Sequence, residues 1–434
     1  MRLTTQNAST LTLCIATGAW VGTATAQDAP PPAPAPTVAE RLDLSNGEAP
    51  EDFFDALVSG KVSLNMRARA EIADQDGLQT SQAYTLRTRL GYKTQAYSGL
   101  QFYIEMEDVS SPNDDLYNAA GLNGQPTKTV VADPEVTELN QFWVNYAVPV
   151  DGMKLDVKSG RQVIALDDQR FIGHVGWRQD NQTFDAINVK TNLGIDGLSA
   201  TYAYLWQINR IFAESADFDS DSHLFNLSYD VDDIGKVTGF VYLLDFEGDS
   251  PANSSQTYGV RLAGKKPVGD NGYQLAYQAS VAFQQDYADN PTDYDATYYM
   301  VDAGLIIPDV GTVGAGYEVL GSDDGAFGFR TPLATGHKFN GFADVFLVTP
   351  ADGLEDFYVY FKPANLPAGL KGMLAYHYFS GNDSIGKFGQ EVNAVLTKKL
   401  RDNLTAGAKY SYFFGDEPGF ADRARLTLDL TLAF

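Results

Sequence analysis

The sequence predicts an all-β chain: a transmembrane antiparallel β-barrel of about eighteen strands, with short periplasmic turns and long extracellular loops. Three observations predict it. Apolar and polar residues alternate along most of the chain, the final strand ends on an aromatic, and no later stretch approaches the ~18 apolar residues of a membrane-spanning helix. The alternation is plainest at the C-terminus, "RARLTLDLTLAF", where Leu426, Leu428, Leu430, Leu432 and Phe434 share one parity. Arg423, Arg425, Thr427, Asp429 and Thr431 share the other. A soluble edge strand with so flat an apolar face would invite aggregation, and lipid is one surface that could cover it.

Composition agrees. The 434 residues include 24 Tyr, 25 Phe and 40 Gly against 6 Met and 4 His, which disfavours a helical enzyme and favours strands and turns. The net charge of −25 and mean hydropathy of −0.22 would suit a soluble protein. They suit a barrel equally, because only alternate strand residues meet lipid.

Residues 1–26 have the form of a signal peptide, with Arg2, an apolar run from Leu11 to Val21, and small residues at Ala24, Thr25 and Ala26. The only cysteine, Cys14, lies inside it, so the processed chain is expected to hold no disulfide and no thiolate metal site. Residues 27–59 read as a Pro/Ala-rich periplasmic spacer, "DAPPPAPAP" giving way to a short helix in "PEDFFDALV". The barrel is expected over 60–434, a large soluble sandwich or propeller being the competing reading of the alternation.

From Lys61 the period of two recurs. In "KVSLNMRARAEI" Val62, Leu64, Met66, Ala68, Ala70 and Ile72 alternate with Ser63, Asn65, Arg67, Arg69 and Glu71. The next segment sets Tyr84, Leu86, Leu90 and Tyr92 against Arg87, Arg89 and Lys93, and "GLQFYIEME" and "YQLAYQASVAFQ" continue the pattern. Nineteen segments qualify as candidate strands. The turns "PVDG" (149–152), "PDVG" (308–311) and "KKLRDN" (398–403) are short and belong on the periplasmic side with both chain ends. The weak candidate at 337–348, "HKFNGFADVFLV", would reverse the sense of every preceding strand. Assigning it to one long loop, 321–353, leaves eighteen; a second long loop spans 109–137.

The stretch "GRQVIALDDQRFIGHVGWRQDNQTFDAINV" at 160–189, with "HKFNGFADVFL" and "GLEDFYV", resembles the alginate-export family of outer-membrane barrels. The resemblance covers about 60–434. It implies eighteen strands, a bacterial outer-membrane location, no enzymatic activity and no cofactor. It also implies passage of an anionic polysaccharide through an arginine-lined lumen, with periplasmic export partners. Other expected contacts are lipid and lipopolysaccharide, an anionic saccharide or small acid as solute, and the barrel-assembly machinery through Phe434. Nucleic acid is not expected.

The residues can be read against that implication. In a closed barrel the last strand pairs with the first, which places Arg423 and Arg425, Arg67 and Arg69, and Arg87 and Arg89 on three neighbouring strands with inward parity. Like charges facing across a ladder need anions. A turn near 95–98 would set Glu105 opposite Arg89 and Glu107 opposite Arg87, an internal ion-pair ladder, and an anion-conducting track is the alternative or additional use of the same arginines. Regular alternation from Leu155 would put Arg161 on the lipid side, whereas a bulge at Gly160 would turn it inward. The resemblance favours inward or loop-rooting roles for Arg161, Arg170 and Arg178; the plainer reading is that they pin the 164–182 loop to its own Asp167, Asp168 and Asp180.

Unlike the family's exporter, this chain has a minimal connection at 398–403 in place of a periplasmic plug loop. A general or catabolic uptake porin with a structural Arg–Glu ladder is therefore a live alternative, and a barrel-embedded hydrolase a weaker one, for want of a Ser–His constellation. His174, His223, His337 and His377 lack metal-ligand spacing, and the acidic run "DFDSDSH" at 217–223 reads as a solvated loop.

Overall fold

The computed structural model describes residues 44, 47–248, 250–383, 386–416 and 419–434. The expected signal peptide and most of the spacer lie outside them. Helix α1 (Phe53–Val58), capped by the Asp52 side chain, lies against the inner rim, where Tyr92 donates to Leu57 O at 2.7 Å.

Eighteen antiparallel strands close into one barrel. They are β1 (Lys61–Gln75), β2 (Ser81–Lys93), β3 (Leu100–Ser110), β4 (Val136–Ala147), β5 (Leu155–Gln162) and β6 (Thr183–Thr191). Next come β7 (Leu198–Asn209), β8 (Phe218–Val231), β9 (Gly235–Leu244), β10 (Ser255–Val268), β11 (Tyr273–Asp286), β12 (Asp295–Ile307) and β13 (Gly311–Leu320). After a long loop containing the small hairpin β14 (Ser322–Asp323) and β15 (Phe327–Gly328), the wall resumes with β16 (Leu354–Pro363) and β17 (Lys371–Ser380). It ends with β18 (Lys387–Arg401), β19 (Leu404–Gly415) and β20 (Arg423–Ala433). Closure is by β20 on β1, Arg67 opposite Thr431, and Phe434 exchanges backbone hydrogen bonds with Leu64 beyond the last paired residues. Residues 337–348 form no strand, so the count of eighteen holds.

Period two sorts the side chains. Leu90, Phe283, Val301 and Leu374 point out and are more than half exposed, while Arg67, Asn188, Gln278 and Asn393 point in and are buried. That is the polarity of a barrel in lipid, inverted from a soluble core.

The outer half of the lumen is filled by two loops. Loop B, residues 163–182 between β5 and β6, contributes Ile164, Leu166 and Ile172 to one buried apolar cluster. Loop C, residues 321–353 between β13 and β16, adds Phe329, Leu333, Ala343 and Phe346, and the wall supplies Phe184, Phe240, Tyr298 and Phe413. Phe171 of loop B lies 4.9 Å from Phe240 and 5.3 Å from Tyr298 between ring centroids, joining loop to wall. Loop A, residues 111–135 between β3 and β4, lies over the β1–β2 end and buries Tyr117, Ala119 and Val131 against Ala73 and Ala83.

Four sequence expectations need correction. The turn between β2 and β3 is centred on Ser98 and Gly99, both at positive φ (48° and 85°), not on 95–98. The ladder shifts by two residues, so Glu107 faces Arg89, Glu105 faces Gly91 and Arg87 faces Val109. Gly160 does have a positive φ of 115°, yet β5 keeps unbroken register with β4 and β6. Arg161 therefore stays on the outer face with Phe142, paired to Asp185 at 2.8 Å. Finally, residues 218–223 of the acidic run are the first turn-proximal residues of β8 rather than a loop.

Candidate functional site: an arginine wall capped by loops B and C

Strands β20, β1 and β2 put Arg423 and Arg425, Arg67 and Arg69, and Arg87 and Arg89 on one stretch of lumen wall, Arg67 directly opposite Arg87. Their partners fall into two kinds.

Carboxylates meet part of the set. Arg69 Nε binds Asp429 Oδ1 at 2.8 Å and Arg69 Nη1 binds Asp133 Oδ2 of loop A at 3.3 Å. Arg89 pairs with Glu107. Arg425 Nη1 donates to Glu71 Oε1 at 2.7 Å. Arg178 of loop B reaches across to Glu71 at 3.2 Å and to Asp344 of loop C at 2.9 Å. Buried, hydrogen-bonded charges of this kind are costly to separate.

Neutral acceptors meet the rest. Arg67 donates to Gln179 Oε1 at 2.9 Å, to Gly176 O at 3.2 Å and to Arg178 O. Arg87 donates to Gln179 O at 3.5 Å and to Asn65 Oδ1. Arg423 donates to Asp344 O at 2.7 Å, and Arg425 also to Ala343 O at 3.0 Å. Among the described residues neither Arg67 nor Arg87 makes an ion pair, although they are 3% and 5% exposed.

Loop B and loop C are locked together at the centre. The Trp177 ring stacks on His337 at 3.5 Å and 6°. Lys409 Nζ lies 3.9 Å from the Trp177 centroid and 2.7 Å from His337 Nε2, and Arg69 stands 4.5 Å from the same ring. Burial, more than the nearby cations, holds the His337 imidazole neutral, with Nδ1 donating to Asp344 at 2.6 Å. Gln179 completes the seat by donating to Thr85 Oγ1 at 2.8 Å and accepting from Arg67, and its own N–H binds Asp133 at 2.9 Å.

Arg170 and Arg178 root loop B outward to the wall and to loop C rather than to its own aspartates. Arg170 binds Glu318 at 2.8 Å and Asn340 at 3.0 Å. Asp168 is met by Arg261 of β10 at 3.3 Å and by Lys338 through its carbonyl at 2.6 Å, and those cations keep its carboxyl below the usual range against the cost of burial. Asp180, buried near Glu138 and Glu107, is held well above that range. Arg161 is not brought to the lumen wall. Sequence reasoning missed Trp177, Gln179, His337 and Asp344 as the parts that seat the loops; the adjacent Trp177 and Arg178 were visible, but their partners lie over a hundred residues away.

The geometry is that of a cation-rich constriction closed from the outer side. The fold agrees with solved channels: Pseudomonas aeruginosa OccK1 (OpdK) superposes with a TM-score of 0.68 at 13% identity, covering 87% of this chain and 99% of that one. A BenF-like porin from Pseudomonas fluorescens gives 0.68 at 14%, covering 87% and 100%. P. aeruginosa OpdK with vanillate gives 0.67 at 12%, covering 87% and 99%. No curated sequence relative matches the chain. The family model described as alginate export matches residues 60–332. The family and the structural neighbours are outer-membrane channels rather than enzymes, so this is a porin-like barrel of the bacterial outer membrane. With well over half of its length matched, the chain belongs to the alginate-export family.

Proposed function

We propose that the channel passes anionic solutes, acidic sugars or an acidic polysaccharide such as alginate, along the wall of Arg67, Arg69, Arg87, Arg89, Arg423 and Arg425. The observation that carries this reading is the Arg67–Arg87 pair: two guanidiniums opposed in the ladder, held only by carbonyl, amide and carboxamide oxygens. With loop B lifted from Arg67, whose three guanidinium nitrogens it occupies, a passing carboxylate would supply the missing charge in bidentate geometry. The acidic surplus of the whole chain does not oppose this. Its outer-loop carboxylates are screened over ~8 Å at physiological salt, while low-dielectric walls focus the field of the lumen charges.

The experiment is ion selectivity in planar bilayers. The wild-type barrel should prefer anions, most clearly at low salt, and replacing Arg67, Arg87 and Arg425 with Gln should move the reversal potential toward cations and weaken block by oligouronates. A cation-selective wild type, or an indistinguishable triple variant, would refute the reading.

A second reading is favoured by the two-residue turn after Arg401, which puts no plug loop at that connection among the described residues. In it the barrel is an uptake porin for small acids and the arginines serve as the seat of loops B and C. The neighbour solved with vanillate, a small aromatic carboxylate, is of interest for this reading. Permeation of monomeric uronates without block by longer oligomers would favour it.

A further inference from the structure

We infer that the inner mouth of the barrel is a binding vestibule for polyanionic chains presented from the periplasmic side, built from a ring of inward-facing lysines. The inference rests on the anion-channel reading and extends it to a second site below the arginine wall. The strand ends at the inner rim carry Lys61 on β1, Lys93 on β2, Lys158 on β5 and Lys190 on β6. Further round the rim stand Lys236 on β9, Lys265 on β10, Lys362 on β16, Lys371 on β17 and Lys399 on β18. Each shares the parity of buried lumen residues on its own strand. Lys61 pairs with Lys93 in the Arg67–Arg87 register, Lys158 lies opposite Asn188, and Lys399 lies opposite Thr405.

All lie within three residues of the strand end, so the band is at most ~10 Å deep at ~3.3 Å per residue. The lysines stand on nine of the eighteen wall strands, in groups separated by β3–β4, β7–β8, β11–β13 and β19–β20. Among the inward-parity strand residues at this level Asp156, opposite Lys190, and Asp230, 3.8 Å from Lys236, are acidic; the turns below carry Asp151, Asp196, Asp232, Asp233, Asp270, Asp309 and Asp402, the last 2.9 Å from Lys399, and α1 carries Asp55. Lys158 rests over the Trp143 ring at 4.2 Å and Lys362 over Tyr360 at 4.7 Å, so these two ammonium groups pack along aromatic residues of the wall.

The chemistry of lysine matters here. The arginines above are buried or half-buried and held by wall carboxylates and loop oxygens, whereas Lys93, Lys190, Lys265, Lys371 and Lys399 are exposed. An ammonium on a flexible stem is a strongly hydrated point charge, which holds any one carboxylate weakly and exchanges it readily. A monoanion gains little from such a ring. A chain of repeated carboxylates gains from several lysines at once, through the high effective concentration of each next group, and still moves. The outer face offers the opposite charge, with Asp114, Asp115, Asp289, Asp293, Asp323 and Asp352 in its loops. Polyanion binding should therefore be one-sided.

The test is current block of the full barrel in a planar bilayer, with an oligouronate added to one side at a time and monomeric glucuronate as control. Orientation is assigned by Asp289→Cys, an outer-loop position, with a membrane-impermeant thiol reagent. The oligouronate should block from the periplasmic side at about a tenfold lower concentration than from the outside. The monomer should show no side preference. Replacing Lys93, Lys190 and Lys371 with Gln should abolish the preference. Equal block from both sides, or a preference that survives in the Gln variant, overturns the inference, the second result assigning the asymmetry to the outer loops instead. Reversal potential in the same recordings judges the anion-channel reading separately: anion selectivity with symmetric block fails the vestibule alone.

Discussion

Arg178 ties loop B both to the wall and to loop C, and Arg178→Gln should open the lumen. Its guanidinium joins three separately anchored pieces: loop B by its own backbone, the β1 wall through Glu71 at 3.2 Å, and loop C through Asp344 at 2.9 Å. Removing one partner of a buried charge pair costs roughly 3–5 kcal/mol when the other is left uncompensated. Here the loss is smaller, because Glu71 keeps Arg425 at 2.7 Å and Asp344 keeps His337 at 2.6 Å. A cost of about 2–3 kcal/mol for seating the loops remains. At 1.4 kcal/mol per decade that raises the ratio of released to seated loops about 30- to 140-fold. The barrel should persist, since its wall is held by ladder hydrogen bonds that Arg178 does not make. Single-channel recording in planar bilayers should show longer or larger openings, with normal heat-modifiable gel mobility. Arg178→Lys, which keeps the charge and loses the fork, should fall between. Gating of Arg178→Gln indistinguishable from wild type would refute the claim that the arginine seats the loops.

Acid should loosen the same seat through His174 of loop B. Its imidazole is lowered to about 4, first by burial and then by Arg89 and Lys338, and Nδ1 has no hydrogen-bond partner among the described residues. The seated loop thus excludes a proton that the released loop accepts below ~6.5, so seating weakens as pH falls from about 6.5 toward 4 and levels off beneath, by ~3 kcal/mol at most. Open probability should rise over that window. His174→Gln should flatten part of the response, leaving the share due to His337, whose burial holds it neutral as well; an unchanged profile would exclude His174. At the inner rim, Phe434 exchanges backbone hydrogen bonds with Leu64, at 2.8 Å for the bond it donates. Deleting it should impair outer-membrane assembly, read as loss of heat-modifiable barrel, and normal assembly of the truncated chain would count against a role for the terminal aromatic.

Strand existence, sense and closure were legible because membrane strands carry their environment in every second residue: Met66, Ala68 and Ala70 face out while Arg67, Arg69 and Glu71 face in. Register was less so. A turn at 95–98 displaces the β2–β3 ladder by two residues from the observed one, because the turn falls instead at Ser98 and Gly99, and a serine at positive φ carries no strong sequence signal. A Cβ at Gly99 would stand 2.3 Å from Ala147 O, which makes the position specific to glycine. For Arg161, alternation alone was the better guide: Gly160 absorbs a positive φ without adding a residue to the ladder, so nothing turns the arginine inward. The loop seat was not legible at all. That Trp177 stacks on His337, or that Arg178 finds Glu71 rather than Asp180, depends on where two long loops descend in three dimensions, and no local period encodes such pairings.

The difference between Arg89 and Arg87 bears on why the wall is built of arginine. A ladder serving only to hold the barrel together would repeat the arrangement at Arg89, where Glu107 stands directly opposite and neutralises it. One step toward the outer end the pattern changes: Arg87 has Arg67 on one side and Val109 on the other, and no carboxylate in contact among the described residues. Two guanidiniums at that spacing in a site with few competing ions cost stability, and Gln179, Gly176 and Arg178 return only neutral hydrogen bonds. Those acceptors belong to loop B, which is tied to the wall by side chains, Arg178 to Glu71 and Gln179 to Thr85, so its release would leave the strand ladder itself intact. The unmatched charge is thus placed where the loops cover it, and the matched charge where the strands must stay.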